Sequence, residues 1–221
     1  MIGDIPTLIS GNGSKKAFLF VHGLCGNKEE SLRFAKIAGA AGYDTVAIDL
    51  PGHGERKDIG RLVPWDVIPE IKAVYRYMKG SYDEISLRAV SIGAYFSLCA
   101  LGDEKLWKCL LSSPLIDMVD MISGMMISAG VDEEELREKG EIQTSGQTLS
   151  WDYLEWARAN KVELHCHGEM LYGSRDKIIR REVIDRFVEN KDCELTVIDS
   201  EHWIHTPEAV AKMEEWEAAK I

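Results

Sequence analysis

A serine in a tight, small-residue context is the first sign of chemistry in this sequence. The run Ala89-Val90-Ser91-Ile92-Gly93 places Ser91 between an apolar segment typical of a strand and a segment typical of a helix. A nucleophilic serine needs such a sharp turn, with small residues two positions before and after it, because the strand and the helix pass close together there. Alanine stands at the first of these positions, where glycine is usual, and adds a single methyl group. The pattern predicts that Ser91 is a nucleophile.

Two loops rich in glycine are candidates for the surroundings of that serine. His22-Gly23-Leu24-Cys25-Gly26 follows an apolar run, and Asp49-Leu50-Pro51-Gly52-His53-Gly54 follows another. Backbone N–H groups in such loops can stabilise a negatively charged oxygen. We expect the amides of Leu24 and Ile92 to form an oxyanion hole. The side chains of His22 and His53 are interpreted as structural, holding their loops, rather than as the catalytic base.

These motifs together resemble those of the α/β-hydrolase superfamily. The series is His-Gly-x-x-Gly, Asp-Leu-Pro-Gly-His-Gly, x-Ser-x-Gly, Tyr-Gly-x-x-Asp and a late histidine, and it extends from about Phe18 to the C-terminus. The resemblance is closest to small bacterial esterases and to lysophospholipase-like or aminopeptidase-like members. It implies a catalytic triad in the chain order serine, acid, histidine.

The resemblance assigns the acid to Asp176 and the base to His202. Asp176 ends the run Tyr172-Gly173-Ser174-Arg175-Asp176, and a carboxylate there can orient an imidazole and stabilise its cationic form. Asp117 is the alternative acid, since some members carry it one strand earlier, but the Gly-x-x-Asp turn favours Asp176. His202 lies in a predicted loop before the last helix, where a general base can serve both nucleophile and leaving group. His205 is the alternative base and is interpreted as a packing residue.

The elements that must position these residues alternate regularly along the chain. Strands are predicted at 17–21, 45–48, 84–90, 108–112, 169–172 and 194–198, and helices at 27–41, 64–78, 92–101, 179–188 and from Pro207 onward. Such alternation predicts an α/β fold, with a mostly parallel sheet covered by helices on both faces. Ligands of such sheets bind beyond the carboxyl ends of the strands, where all the predicted site residues lie.

One stretch interrupts the alternation and predicts a helical cap insertion. Residues 114–161 show no clear strand but contain an apolar helix rich in methionine, a charged helix at 132–139 and an aromatic segment at 151–156. The predicted domains are therefore a hydrolase core at 1–113 and 162–221 and a cap at 114–161. Methionine adapts to varied apolar shapes, so the cap can bind substrate as well as pack. The candidate substrate-binding residues are Met118, Met121, Met125 and Trp151.

Two further signals are interpreted as structural. His165 and His167 would share one face of an extended strand, which is a possible geometry for metal ligands, but no third ligand motif lies nearby in the sequence. A strand entering the sheet is the preferred interpretation, and we predict no metal site. Cys25 lies near the oxyanion loop and could be a reactive thiol, although a small buried residue is the more common role.

Composition restricts the class of partner and the compartment. The 221 residues carry a net charge of −11, which repels nucleic-acid phosphates and anionic lipids. No apolar run is long enough to span a bilayer, and the first residues lack the features of a secretory signal. The five cysteines include no CxxC pair, which favours reduced thiols. We expect a cytoplasmic protein with a small-molecule substrate and neither nucleic-acid nor membrane partners.

The sequence therefore predicts a serine hydrolase, and a carboxylesterase acting on small or medium acyl esters in particular. No cofactor is expected, because the triad chemistry needs none. Fold and triad leave acyl transfer, thioester cleavage and amide cleavage open as uses of the same machinery. The alternatives from other classes are a non-catalytic protein that retains the fold and a metal-dependent hydrolase built around His165 and His167.

Overall fold

Burial on both sides of the central strands explains why their sequences are almost continuously apolar. The computed structural model describes residues 1–56 and 60–221. Every residue from Ala17 to Val21 and from Asp44 to Ile48 is buried. Because successive side chains of a strand point to opposite faces, both faces of the sheet are covered. The strands are β1 (Thr7–Ser10), β2 (Lys16–Val21), β3 (Asp44–Ile48), β4 (Glu84–Val90), β5 (Cys109–Ser112), β6 (Glu141–Gln143), β7 (Thr148–Ser150), β8 (Gly168–Gly173) and β9 (Cys193–Ile198).

The strands of the main sheet follow the order β1-β3-β2-β4-β5-β8-β9. β1 runs antiparallel to β3, and the remaining pairs are parallel. The predicted mostly parallel sheet with helices is confirmed. The helices are α1 (Ser31–Ala40), α2 (Pro64–Lys79), α3 (Ile92–Leu101), α4 (Met118–Ala129), α5 (Glu133–Lys139), α6 (Trp151–Ala159), α7 (Arg181–Asn190) and α8 (Pro207–Lys220).

An aromatic core lies between one face of the sheet and helices α1 and α8. Phe18 and Phe20 of β2 pack with Phe34 of α1, and Trp216 of α8 belongs to the same cluster. The rings of Phe18 and Phe34 meet edge to face, with centroids 5.0 Å apart. Such burial of large apolar surface is the main free-energy contribution that holds the helices on the sheet.

The chain divides into two compact units. The first comprises Met1–Ile116 and Glu163–Ile221 and contains the seven-stranded sheet, and the second is Asp117–Val162. Within the second unit, α4 packs on α6, and β6 pairs with β7. The role of this unit as a cap stays a prediction.

Two local predictions from the sequence are wrong, and one strand was not predicted. The stretch 114–161 contains a hairpin, β6–β7, whose three-residue strands are too short to show alternation. The segment His165–His167 lies before β8 rather than in a strand, because the ladder to β5 begins at Gly168. β1 is an additional strand, at the edge of the sheet, that the sequence analysis missed.

No helix in the described ranges is both long enough and apolar enough to cross a bilayer.

Candidate active site

Ser91 occupies a strained turn between β4 and α3. Its φ is 48° and its ψ is −120°, a conformation that costs free energy for any residue other than glycine. The surrounding backbone holds it there. The Ser91 N–H donates to the carbonyl oxygen of Ser112 at 3.1 Å, and the Ser91 carbonyl oxygen accepts from the N–H groups of Ala94 and Leu115. Strain retained in this way is typical of a turn that presents a nucleophile.

Small residues around Ser91 allow the close approach that the turn requires. A Cβ atom on Gly93 would lie 2.3 Å from the carbonyl oxygen of His22, so α3 packs directly against the end of β2. A Cβ atom on Gly23 would lie 3.3 Å from the Cβ of Ser91. Ala89 is completely buried, and its methyl group is accommodated where the usual pattern has glycine. The glycine two positions after Ser91 therefore has a steric cause, and Gly23 lets the loop after β2 come close to the serine.

Ser91, His202 and Asp176 form a continuous chain of hydrogen bonds. Ser91 Oγ lies 2.9 Å from His202 Nε2, and His202 Nδ1 lies 2.7 Å from Asp176 Oδ2. The carboxylate can only accept from Nδ1–H, so Nε2 is left to accept from the serine hydroxyl. In this tautomer Nε2 can take the hydroxyl proton as Oγ attacks an electrophilic carbon.

Burial and two backbone hydrogen bonds orient the carboxylate of Asp176. Its side chain is fully buried, and Oδ1 accepts from the N–H groups of Ile178 and Ile179 at 2.8 and 2.9 Å. These bonds satisfy the carboxylate and orient its second oxygen towards His202. A Cβ atom on Gly173 would lie 2.5 Å from the carbonyl oxygen of Ser200, so glycine there lets the loop carrying His202 pass close by.

Ser113 is a site residue that sequence reasoning missed. Its hydroxyl donates to the carbonyl oxygen of His202 at 2.8 Å, and its φ of 44° is strained. It therefore tethers the backbone of His202. The only sequence signal was its position immediately after a strand, in Ser112-Ser113-Pro114, which is shared by many loop serines.

The two amides expected to form an oxyanion hole belong to Ile92, which follows Ser91 in the chain, and to Leu24, in the loop after β2. Ile92 is the first residue of α3, where N–H groups lack partners within the helix. Leu24 follows Gly23, the residue that approaches Ser91. Across the described ranges, neither amide donates a hydrogen bond to a backbone carbonyl. Their role as an oxyanion hole stays a prediction.

Two histidines connect the loop of Leu24 to the loop after β3. Leu50 N–H donates to Nε2 of His22, and Cys25 N–H donates to Nε2 of His53, both at 3.0 Å. The Nδ1 atom of each ring lies within hydrogen-bond distance of a carbonyl oxygen, that of Gly23 or of Pro51. Burial lowers the pKa of His22 to about 4, which keeps its ring neutral and its Nε2 an acceptor. Both side chains thus support the loop conformation.

The alternative acid and base have other contacts. Asp117 caps the N-terminus of α4, where its Oδ1 accepts from the Asp120 N–H at 3.0 Å. His205 is exposed and stacks on the indole of Trp203, with ring centroids 4.3 Å apart. His205 therefore packs against Trp203 at the surface of the molecule.

The candidate substrate-binding residues all belong to the second compact unit. Met118 is buried in α4, and Met121 and Met125 are half-buried on the same helix. Trp151 begins α6 and is also half-buried. Their role in binding an acyl group stays a prediction.

One group of side chains in the described ranges has the spacing of metal ligands, and it involves different residues from those the sequence suggested. Ligand atoms of His167, Glu169 and Glu194 lie within 4.8 Å of one another, whereas His165 is exposed and outside the group. The ammonium of Lys220 forms ion pairs with both glutamates at 2.8 Å. A cation thus already compensates these carboxylates. Glu169 and Glu194 lie at the amino ends of β8 and β9, whereas Ser91 follows the carboxyl end of β4.

Comparison with known proteins identifies the fold. No family model matches the chain, and no curated protein matches it by sequence. Est1E from Butyrivibrio proteoclasticus, solved with ferulic acid bound, is 19% identical with a TM-score of 0.75 over 96% of this chain and 93% of that chain. Mouse alpha/beta hydrolase domain-containing protein 10 is 14% identical with a TM-score of 0.75, over 96% and 90%. An esterase of Pyrococcus furiosus is 19% identical with a TM-score of 0.67, over 97% and 82%. The chain has the α/β-hydrolase fold.

Proposed function

We propose that the protein is a serine hydrolase that cleaves small or medium carboxylic esters through an acyl-enzyme. The observation that carries the proposal is the chain of hydrogen bonds from Asp176 through His202 to Ser91, with Ser91 held in a strained turn. Strain is retained where the surrounding structure enforces it, and such positions are concentrated at functional sites.

The proposed reaction follows from the positions of the hydrogen-bonding atoms. Ser91 Oγ attacks the ester carbonyl carbon while His202 Nε2 accepts the hydroxyl proton, and Asp176 stabilises the resulting imidazolium. The amides of Leu24 and Ile92 donate to the developing oxyanion. His202 then returns the proton to the leaving alcohol. A water molecule activated by the same imidazole releases the acid from Ser91.

The choice of a carboxylic ester has separate support. One similar structure is an esterase of Pyrococcus furiosus, and another, Est1E, was solved with ferulic acid, a carboxylic acid, bound. Ester cleavage also uses the acyl-enzyme route without any group beyond the triad and the two amides. Acyl transfer and thioester or amide cleavage would use the same residues.

The test is hydrolysis of p-nitrophenyl esters from acetate to decanoate, with labelling by a serine-directed phosphonate. We expect wild type to hydrolyse the esters and to be labelled, and Ser91→Ala to lose at least about 10³-fold in kcat and all labelling. Ser174→Ala is the matched control, because Ser174 is an exposed serine in the loop that carries Asp176, and it should retain wild-type rates.

The outcomes separate the alternatives. Turnover that persists in Ser91→Ala would exclude Ser91 as the nucleophile. Turnover that is abolished by a chelator would indicate a metal-dependent hydrolase instead. Neither turnover nor labelling in the wild type would favour a non-catalytic protein. If wild type is active, the acyl length with the highest kcat/KM indicates the length of the pocket that binds the acyl chain.

A further inference from the structure

Two cysteine thiols meet at the end of the sheet opposite Ser91. Cys109 is the first residue of β5, and Cys166 lies two residues before β8. The Cys109 N–H donates to the carbonyl oxygen of His167 at 3.0 Å, which holds the segment with Cys166 against β5. The two Sγ atoms are 3.3 Å apart. A disulfide bond requires about 2.05 Å, so the sulfurs must approach by only about 1.2 Å.

The two thiols differ in reactivity in a complementary way. Cys109 is completely buried, and its hydrogen bond with Cys166 together with that burial raises the pKa of its thiol. The same hydrogen bond, together with the neighbouring His167, lowers the pKa of Cys166, although partial burial opposes the effect. Cys166 is half-buried, so small molecules can reach it. Cys166 is therefore the thiol of the pair that peroxide reaches first, because Cys109 is completely buried.

We propose that Cys166 and Cys109 form a reversible disulfide when the protein encounters hydrogen peroxide. The Cys166 thiolate attacks one peroxide oxygen, the O–O bond breaks, and Cys166 becomes a sulfenic acid while one water leaves after proton uptake. The Cys109 sulfur then attacks the sulfenic sulfur, the S–O bond breaks, and a second water leaves. The balance is two thiols and one peroxide to one disulfide and two waters. A dithiol reductant reverses the reaction by thiol–disulfide exchange.

The bond would join positions 57 residues apart in the chain. The loop that it closes contains the whole of the second compact unit, Asp117–Val162, and the irregular segment by which the chain returns to β8. Closing a long loop restricts the unfolded chain and raises stability, as a rule more strongly for longer loops. The proposed site is therefore an oxidation-dependent cross-link between β5 and the segment that leads into β8. It is independent of the proposed ester hydrolysis.

A third cysteine near the pair provides the matched control. Cys193 begins β9. Its sulfur lies 3.1 Å from the position that a Cβ atom on Gly168 would take. Burial raises the pKa of Cys193 to about 12, so it remains protonated and reacts slowly.

The experiment is treatment of the reduced protein with stoichiometric hydrogen peroxide, followed by alkylation, proteolysis and mass spectrometry. We expect a cross-linked peptide pair containing Cys109 and Cys166, lighter by two hydrogens than the separate peptides and lost after dithiothreitol. Cys193→Ser should form this cross-link to the same extent as wild type, and Cys109→Ser should form none.

Two results would overturn the proposal, and both can be read from the wild type without any variant. One is Cys166 recovered as sulfenic or sulfinic acid with Cys109 still a free thiol. The other is a disulfide between Cys166 and Cys193 in place of the predicted pair.

Discussion

At the scale of single residues, the site depends on a carboxylate oxygen, and not an amide nitrogen, facing Nδ1 of His202. Asp176→Asn would keep the Oδ1 contacts with Ile178 and Ile179 but place an amide N–H₂ opposite His202 Nδ1. The imidazole would then favour the tautomer with the proton on Nε2, which cannot accept from Ser91. We expect kcat for ester hydrolysis to fall by about 10³- to 10⁴-fold with little change in fold.

The matched control for this carboxylate is Asp117→Asn. Asp117 is an N-cap, and asparagine caps helices about as well as aspartate, so both stability and kcat should stay near wild type. If Asp117→Asn were the variant that lost activity, the acid assignment would be reversed. Circular dichroism of both variants checks that the fold is retained.

His22 couples the stability of the site to pH. Its pKa is about 4 in the folded protein, against 6.5 in the unfolded chain, because burial disfavours the charged ring. Between these values only the unfolded state binds the proton, and this binding favours unfolding. The stability that the neutral His22 contributes is therefore complete above pH 6.5 and is lost as pH falls towards 4. From pH 7 to pH 5 the loss should be about 2 kcal/mol.

Urea unfolding at the two pH values measures this loss. His22→Gln removes the titrating group. Over the same pH range its free energy of unfolding should therefore fall less than that of wild type, and the two decreases should differ by about 2 kcal/mol. An equal decrease in both proteins would show that other groups cause the pH dependence.

At the scale of elements, close packing of α3 against β2 sets the position of Ser91. Gly93→Ala would bring a methyl group 2.3 Å from the carbonyl oxygen of His22, and neither backbone can move without displacing the turn. We expect a loss of about 3 kcal/mol in stability. Gly124→Ala is the matched control in α4, where a Cβ atom meets nothing within 4 Å, and it should gain about 0.5–1 kcal/mol.

Thermal unfolding of the two alanine variants should therefore move Tm in opposite directions. If Gly93→Ala unfolded at the wild-type temperature, the close approach of α3 and β2 would be wrong, and with it the steric explanation of the Ser-x-Gly spacing.

At the scale of the whole molecule, a buried ion pair joins the centre of the sheet to the last helix. Arg88 of β4 and Glu217 of α8 are each 2% exposed and lie 2.7 Å apart. The guanidinium also lies over the rings of Phe20, Phe34 and Trp216. Arg88→Met would leave Glu217 buried without its partner and should cost about 3–5 kcal/mol.

A second substitution distinguishes loss of the pair from loss of packing. Arg88→Met combined with Glu217→Leu removes both charges and should recover most of the stability, because the remaining penalty of an unpaired carboxylate disappears. Lys79→Met is the surface control, since Lys79 pairs with Glu104 at 3.5 Å in solvent and should change stability by less than about 1 kcal/mol. Denaturant unfolding gives all three values.

The sequence by itself determined the order of the parallel strands and of the helices that flank them, and it proposed the site residues. Periodicity of apolar residues marked β4 and α3 to the residue, because buried parallel strands and their helices have distinct patterns. Glycine spacing marked the Ser91 turn, since only small residues permit its close approaches. The resemblance to the α/β-hydrolase superfamily proposed Asp176 and His202, with Asp117 and His205 left open as alternatives.

Only the tertiary structure decided which of these residues meet. The contacts of Asp176 and Asp117 separate them, because one accepts from His202 and the other from a helix N-terminus. Ser113 and the Cys109–Cys166 pair have no local pattern, since their partners are distant in the chain and adjacent only across the sheet. The β6–β7 hairpin is too short for periodicity. Contacts between residues far apart in sequence depend on packing, and local composition does not encode them.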